Sequence, residues 1–224
     1  MSGKKAVIAC AVMKHEFEKV IGDRPIDLHI LEQGLHNTPK LMPGHISEKV
    51  AEVAASGPEE IILGYGLCSN GVVGVGGGAK PLVIPRCHDC ISMLLGSVER
   101  YNEVFRRNPG TIYLSAGWVD ACDDPLGYLE NKYIPRMGEK KALRAVSLEL
   151  AHYTHFCYID NGLGDRERLK ERTRENCRMF QKEYKEIQGS LEYFERLIDS
   201  PADGPDIIRL SPGRQLDEDM FMGG

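Results

Sequence analysis

Short apolar runs recur along this chain, each followed by an amphipathic stretch, and that alternation narrows the fold more than any other feature. The runs are Ala6–Val12, Ile26–Leu31, Glu60–Gly64, Pro81–Pro85, Thr111–Leu114, Phe156–Ile159, Tyr184–Ile187 and Ile207–Leu210. Parallel strands cannot be joined by a tight turn, so strands separated by helix-forming segments imply a parallel sheet covered by helices. The expected class is α/β, built from repeated βα units. The 224 residues suit a single domain, 1–224, within which two flavodoxin-like lobes, 1–109 and 110–224, would join near Asn108-Pro109-Gly110.

The clearest helix is expected over Asp89–Arg107. Ile91, Leu94, Leu95, Val98, Tyr101 and Phe105 form one apolar stripe there, with Asp89 as N-cap and Asn108-Pro109-Gly110 as stop. Further helices are expected over Gly138–Tyr153 and over Asp165–Glu183, the latter strongly charged and mostly solvated outside. Hydrophobic residues make up 42% and charged residues 27%, a globular composition. The formal net charge of −5 argues against nucleic acid or an anionic membrane as partner. No apolar run approaches the roughly 20 residues of a membrane span. The run Ala6–Val12 is too short for a secretory signal and reads as a buried strand. Seven cysteines without such a signal point to a reducing cytoplasm, where thiols bind metal, do chemistry or lie buried.

In open parallel sheets ligands bind beyond the carboxyl ends of the strands. Those ends are unusually rich here. The first strand carries Cys10, and the second is followed by Gly34-Leu35-His36-Asn37. The third leads into Tyr65-Gly66-Leu67-Cys68-Ser69-Asn70-Gly71, and the fourth into Arg86-Cys87-His88-Asp89-Cys90. Ser115-Ala116-Gly117-Trp118 follows the fifth, and the sixth ends in Asp160-Asn161-Gly162.

Cys87-His88-Asp89-Cys90 is the sharpest of these signals. At a strand end opening a helix, backbone amides and the helix dipole would favour a thiolate. The spacing suits a redox pair or part of a zinc site, but no second Cys-x-x-Cys completes a closed structural zinc site. Cys10, Cys68 and Cys90 would leave adjacent strand ends if the first, third and fourth strands are neighbours. Strands about 4.8 Å apart would start the outer two cysteines about 10 Å apart. That is wide for one zinc with Zn–S near ~2.3 Å, and it suits an iron–sulfur cluster with three thiolates and one open iron. Zinc would instead take His88, Cys90 and Cys68. His36 and His88 are the candidate catalytic bases. Arg86, Asn70, Gly71 and Trp118 are candidates for holding a small-molecule ligand, with a structural ion pair the competing role for Arg86. The glycine-rich stretch Gly71–Gly78 reads as a phosphate cradle or as a loop that closes over the site. Cys122, Cys157 and Cys177 have no neighbour at ligand spacing and read as structural.

Several of these motifs, in this order, resemble the domain of unknown function 1638. The resemblance rests on Gly34-Leu35-His36 with Pro39, Tyr65-Gly66-Leu67-Cys68 with Asn70-Gly71, and Pro85-Arg86 with His88-Asp89-Cys90-Ile91. It continues through Leu95-Gly96-Ser97, Gly117-Trp118, Tyr158-Ile159-Asp160 and Pro212-Gly213. It implies a setting in anaerobic one-carbon metabolism, often beside corrinoid-dependent methyltransferases. Cys87 stands outside the family's pattern, which weighs against a redox Cys-x-x-Cys as the shared function. The expected function is therefore a metal-dependent enzyme with a thiolate-ligated centre acting on a small molecule. The alternative is a non-catalytic accessory protein that binds metal or cofactor for a corrinoid methyltransferase.

Overall fold

The computed structural model of the chain describes residues 4–31, 40–121, 124–199 and 202–222. The chain forms two compact units, Met1–Arg100 with Ser190–Gly224, and Tyr101–Gly189. It begins with β1 (Lys5–Cys10), α1 (Lys14–Ile21), β2 (Ile26–Leu31), α2 (Met42–Ala55), β3 (Glu60–Gly64), β4 (Leu82–Pro85), α3 (Ile91–Leu95) and α4 (Val98–Arg107). Next come β5 (Thr111–Leu114), α5 (Ala116–Asp120), α6 (Pro125–Tyr128), α7 (Ile134–Met137), α8 (Glu139–Glu149), β6 (His155–Asp160), α9 (Arg166–Phe180) and β7 (Glu183–Gln188). The chain then returns to the first unit with α10 (Glu192–Asp199) and β8 (Ile207–Leu210). All eight expected strands are present, and the class is α/β with mostly parallel sheets.

The first unit holds a five-stranded sheet in the order β2-β1-β3-β4-β8, parallel except for β8, which runs antiparallel to β4. Side chains alternate across a strand, so two cores form, one on each face. Ala6 and Ile8 of β1, Ile61 and Leu63 of β3, and Leu82 and Ile84 of β4 pack under α2, where Met42, Ile46, Val50 and Val53 are buried. On the other face Phe17 of α1 meets Phe194 of α10 edge-on, with ring centroids 5.1 Å apart. The second unit has a wholly parallel sheet, β5-β6-β7. Leu114 and Phe156 meet Ala142 and Val146 of α8 and Cys177 and Phe180 of α9 in its core.

One expectation needs correction. The stretch Asp89–Arg107 is two helices, because Gly96 takes a left-handed φ of 91° and ends α3 after five residues. A Cβ at Gly96 would lie 2.7 Å from Ser190 Cβ, so no other residue fits there without a shift. Ser97 Oγ then accepts from Arg100 N at 3.1 Å and starts α4, none of whose residues is buried. α9 is charged and mostly solvated on its outer side, as expected, while its inner face buries Leu169, Thr173, Asn176, Cys177 and Phe180. His155 opens strand β6, its Nε2 3.0 Å from Glu183 Oε2. Among the described residues, no helix is long and apolar enough to cross a membrane.

Candidate functional site

The order β2-β1-β3-β4 places a topological switch between β1 and β3, since the chain goes to opposite sides from β1. Ligands of open α/β sheets sit at such points, beyond the strand ends. Cys10 closes β1 at this edge, and it packs with Cys68 against the α2-side core. Tyr65 belongs to that same core, because residues 61, 63 and 65 share one face of β3 and its extension.

Beyond their strands, the loops after β3 and β4 continue side by side. Leu67 N donates to Cys87 O at 2.8 Å and Cys68 N to His88 O at 3.1 Å. Gly66 permits this approach: a Cβ there would meet Cys87 O at 3.1 Å and both Cys87 Sγ and the Asp89 carbonyl carbon at 3.2 Å. The chain then turns sharply. Cys68, Ser69 and Asn70 have φ of 46°, 57° and 64°, three successive left-handed residues of which none is glycine. Such backbone is costly and is held only where the surroundings impose it. Gly71 N donates back to Cys68 O at 3.1 Å, closing the turn.

This arrangement aims Cys68 at Cys90. The Cys68 sulfur is the hydrogen-bond partner of the Cys90 thiol, and that bond, with burial and the nearby charges of Cys68, Asp89 and Cys10, holds Cys90 well above the usual thiol range. The expected depression of the Cys90 pKa is therefore reversed, since a five-residue α3 supplies little dipole and the neighbours are themselves anionic when ionised. Asp89 Oδ1 accepts from Ile91 N at 2.9 Å. Burial raises the Asp89 carboxyl, against the lowering effects of the Ile91 amide and the Cys90 thiol.

Cys87 faces elsewhere. It is 1% exposed, and its thiol lies within hydrogen-bonding reach of Tyr193 on the α10 side of the sheet. Burial chiefly drives its pKa up. The pair that converges is thus Cys68 with Cys90, and not the Cys-x-x-Cys pair of Cys87 with Cys90.

Tyr65 is 3% exposed, and its hydroxyl finds no hydrogen-bond partner among the described residues. Burial, followed by the charges of Cys10, Cys68 and Cys90, raises its pKa far beyond the usual range, so it stays protonated. The three cysteines that influence this one hydroxyl are the three expected to share a centre. Among the described residues, however, no three His, Cys, Asp or Glu side chains gather as ligands of a single metal ion.

The other candidates are placed as follows. His88 is exposed, and its contribution to the loop pairing is its carbonyl. Arg86 spends its guanidinium on protein: it donates to Gly204 O at 3.2 Å, to Met220 O, and to Asp203 Oδ1 at 3.2 Å. Asn70 is exposed and donates to Glu218 Oε2 at 3.1 Å. Gly71 is buried, and a Cβ on it would come within 2.5 Å of Met42 Sδ. Trp118 belongs to the second unit and packs against its Leu114–Phe156 core. His36 and Cys122 lie outside the described residues. Tyr65 and Asp89 were missed as members of the site. The alternation that puts Leu63 in the core also assigns Tyr65 to the α2 face, beside Cys10.

A family model described as a protein of unknown function, DUF1638, matches residues 30–198. The chain belongs to this family. The span matched to DUF1638 contains Cys68, Cys87 and Cys90 and excludes Cys10 and β8. No curated protein and no solved structure matches the chain.

Proposed function

We propose that this chain is a metal-dependent enzyme that holds an iron–sulfur cluster on the thiolates of Cys10, Cys68 and Cys90 and acts on a small molecule in one-carbon or methyl-transfer metabolism. The observation that supports the reading is the hydrogen-bonded pair of Cys68 and Cys90 beyond the ends of β3 and β4, with Cys10 closing β1 at the sheet's topological switch. The metabolic setting rests on the family resemblance alone. A cluster takes each thiolate on a different iron, so its ligands need not converge on one point, unlike those of a lone zinc ion. The exposure of His88 weighs in the same direction against zinc bound by Cys68, Cys90 and His88.

With three protein thiolates, such a cluster would offer one open iron as a Lewis acid for a small ligand. The protein's own contribution is positional. The paired loops and the left-handed turn fix Cys68 opposite Cys90, and the raised pKa of Cys90 keeps its unliganded thiol protonated until metal displaces the proton. The apolar core under α2 keeps water from the inner side.

Purification without oxygen, followed by elemental analysis, tests the reading. The expected result is a brown protein containing iron and acid-labile sulfide, with both lost in Cys90→Ser and both kept in Cys87→Ser and Cys177→Ser. A serine hydroxyl resists deprotonation and is a poor ligand for a soft centre. A wild-type protein without iron, or a Cys90→Ser variant with full metal, would sink it. A loaded protein that co-purifies with a corrinoid methyltransferase and turns nothing over would favour the accessory role.

A further inference from the structure

The segment after β8, residues 211–222, runs along the glycine-rich loop between β3 and β4. Gly213 N donates to Gly78 O at 2.7 Å, Leu216 N to Val75 O at 2.8 Å, and Gly74 N to Leu216 O at 2.9 Å. The approach is so close that a Cβ on Gly76 would collide with Arg214 O. The loop's backbone is thus engaged by this strap, and Gly74 N is not free to cradle a phosphate. One turn of 3-10 helix, Glu218–Phe221, then reaches both arms of the thiol site. Glu218 Oε2 accepts from Asn70 Nδ2 at 3.1 Å, two residues past Cys68, and Met220 O accepts from Arg86 Nη1, just before Cys87. The loops fastened in this way are the two that pair through Leu67 with Cys87 and Cys68 with His88. The strap itself is lightly held. Of residues 211–222 only Leu216 and Phe221 are buried, against the core that contains Val72 and Val75. β3, by contrast, is buried along its whole length and paired with a strand on each side. Segments with few buried contacts and exposed backbone open first. The left-handed turn at Cys68, Ser69 and Asn70 adds a push, since its strain lasts only while its surroundings impose it.

We propose that residues 211–222 are a latch on the thiol site. Closed, the latch holds the loops after β3 and β4 together and imposes the left-handed turn at Cys68. Released, it lets the two loops part and the turn relax while β1 and β3 stay folded. Anything bound between these loops holds the latch shut, and release of the latch lets it go. The inference concerns how the site is assembled, so it stands or falls independently of whether the thiols bind metal.

The test is amide hydrogen exchange on the full chain, metal-free and reduced, followed residue by residue at several urea concentrations below unfolding. In the wild type the amides of Gly74 and Leu216, which join strap to loop, are expected to exchange through the same opening as those of Leu67 and Cys68, which join the two loops. That opening should cost less and depend more weakly on urea than the opening that exposes Ile8 in β1 and Ile62 in β3. Leu216→Ala removes a buried anchor of the strap and should speed all four amides by the same factor, about tenfold or more. Glu218→Ala, an exposed change that spares the core, should do the same by about three- to tenfold and serves where Leu216→Ala fails to fold. Two results would overturn the latch. Leu67 and Cys68 could exchange only with Ile8 and Ile62, so that the loops stay paired when the strap leaves. Alternatively, the variants could speed Gly74 and Leu216 while leaving Leu67 and Cys68 at the wild-type rate, so that the loops part without the strap.

Discussion

Ser69 is exposed and sits at φ 57° between two other left-handed residues, Cys68 and Asn70, so its conformation serves the turn and not its own side chain. Ser69→Gly is therefore expected to raise stability by about 0.5–1 kcal/mol in urea unfolding, because glycine adopts this φ without strain. The same change should loosen the aim of Cys68 and speed metal loss to a chelator. Gly66 argues in the opposite sense. Its alanine variant would press on Cys87 O at 3.1 Å and should cost about 1–3 kcal/mol while separating the two loops. The thiols themselves give a third test. Metal-free protein left in air should form a disulfide between Cys68 and Cys90, which share a hydrogen bond, and peptide mapping would reveal it. A Cys87–Cys90 bridge would contradict the geometry, in which Cys87 lies against Tyr193. Before oxidation, Cys90 should alkylate slowly at neutral pH and faster only above the ordinary thiol range, since a raised pKa withholds the thiolate. The sequence revealed which residues stand at strand ends. It did not reveal where they point, because the Cys-x-x-Cys spacing says nothing about which side of a sheet each thiol faces.

At the level of elements, the eight strands were legible because short β-branched runs between turn residues leave little else to form. Helix continuity was not. The apolar stripe from Ile91 to Phe105 reads as one helix, yet Gly96-Ser97 is a stop followed by an N-cap, and the close approach of Ser190 to Gly96 comes from a segment almost a hundred residues away. Gly96→Ala is expected to destabilise the protein by about 1–3 kcal/mol, from the φ of 91° and the 2.7 Å contact together. β6 and α9 are tied by Asp160, whose carboxyl is 2% exposed. It accepts from Gly162 N at 2.9 Å and from Arg166 Nε at 2.9 and 3.0 Å, with Lys170 Nζ at 3.7 Å. Burial pushes its pKa up, but the Arg166 and Gly162 hydrogen bonds and the Arg166 and Lys170 charges outweigh that, and the net shift is downward. A depressed carboxylate contributes stability above its unfolded pKa of about 3.9 and loses it as pH falls through the lower folded value. Asp160→Asn should thus cost about 2–3 kcal/mol at pH 7, and its deficit against wild type should shrink in acid unfolding experiments below pH ~4.

Across the whole molecule, strand order decides where chemistry can sit. The βα repeat implied parallel neighbours, and the order β2-β1-β3-β4 brings the ends of β1, β3 and β4 together as the flavodoxin-like pattern requires. The return of the chain was not legible. The expected seam near Asn108–Gly110 falls inside the second unit, whose borders are Tyr101 and Gly189, and β8 completes the first sheet from the far end of the chain. No local pattern announces a strand that pairs antiparallel with one over a hundred residues earlier. The site gains from that return as well: Arg86 is anchored by the carbonyls of Gly204 and Met220, which braces the segment leading to Cys90. The most direct test of the central claim is iron-edge X-ray absorption on the protein purified without oxygen. The expected spectrum has a shell dominated by sulfur around iron and a second shell of iron, from a cluster held by Cys10, Cys68 and Cys90. A spectrum with no iron signal, or with iron bound singly by nitrogen and oxygen, would contradict it.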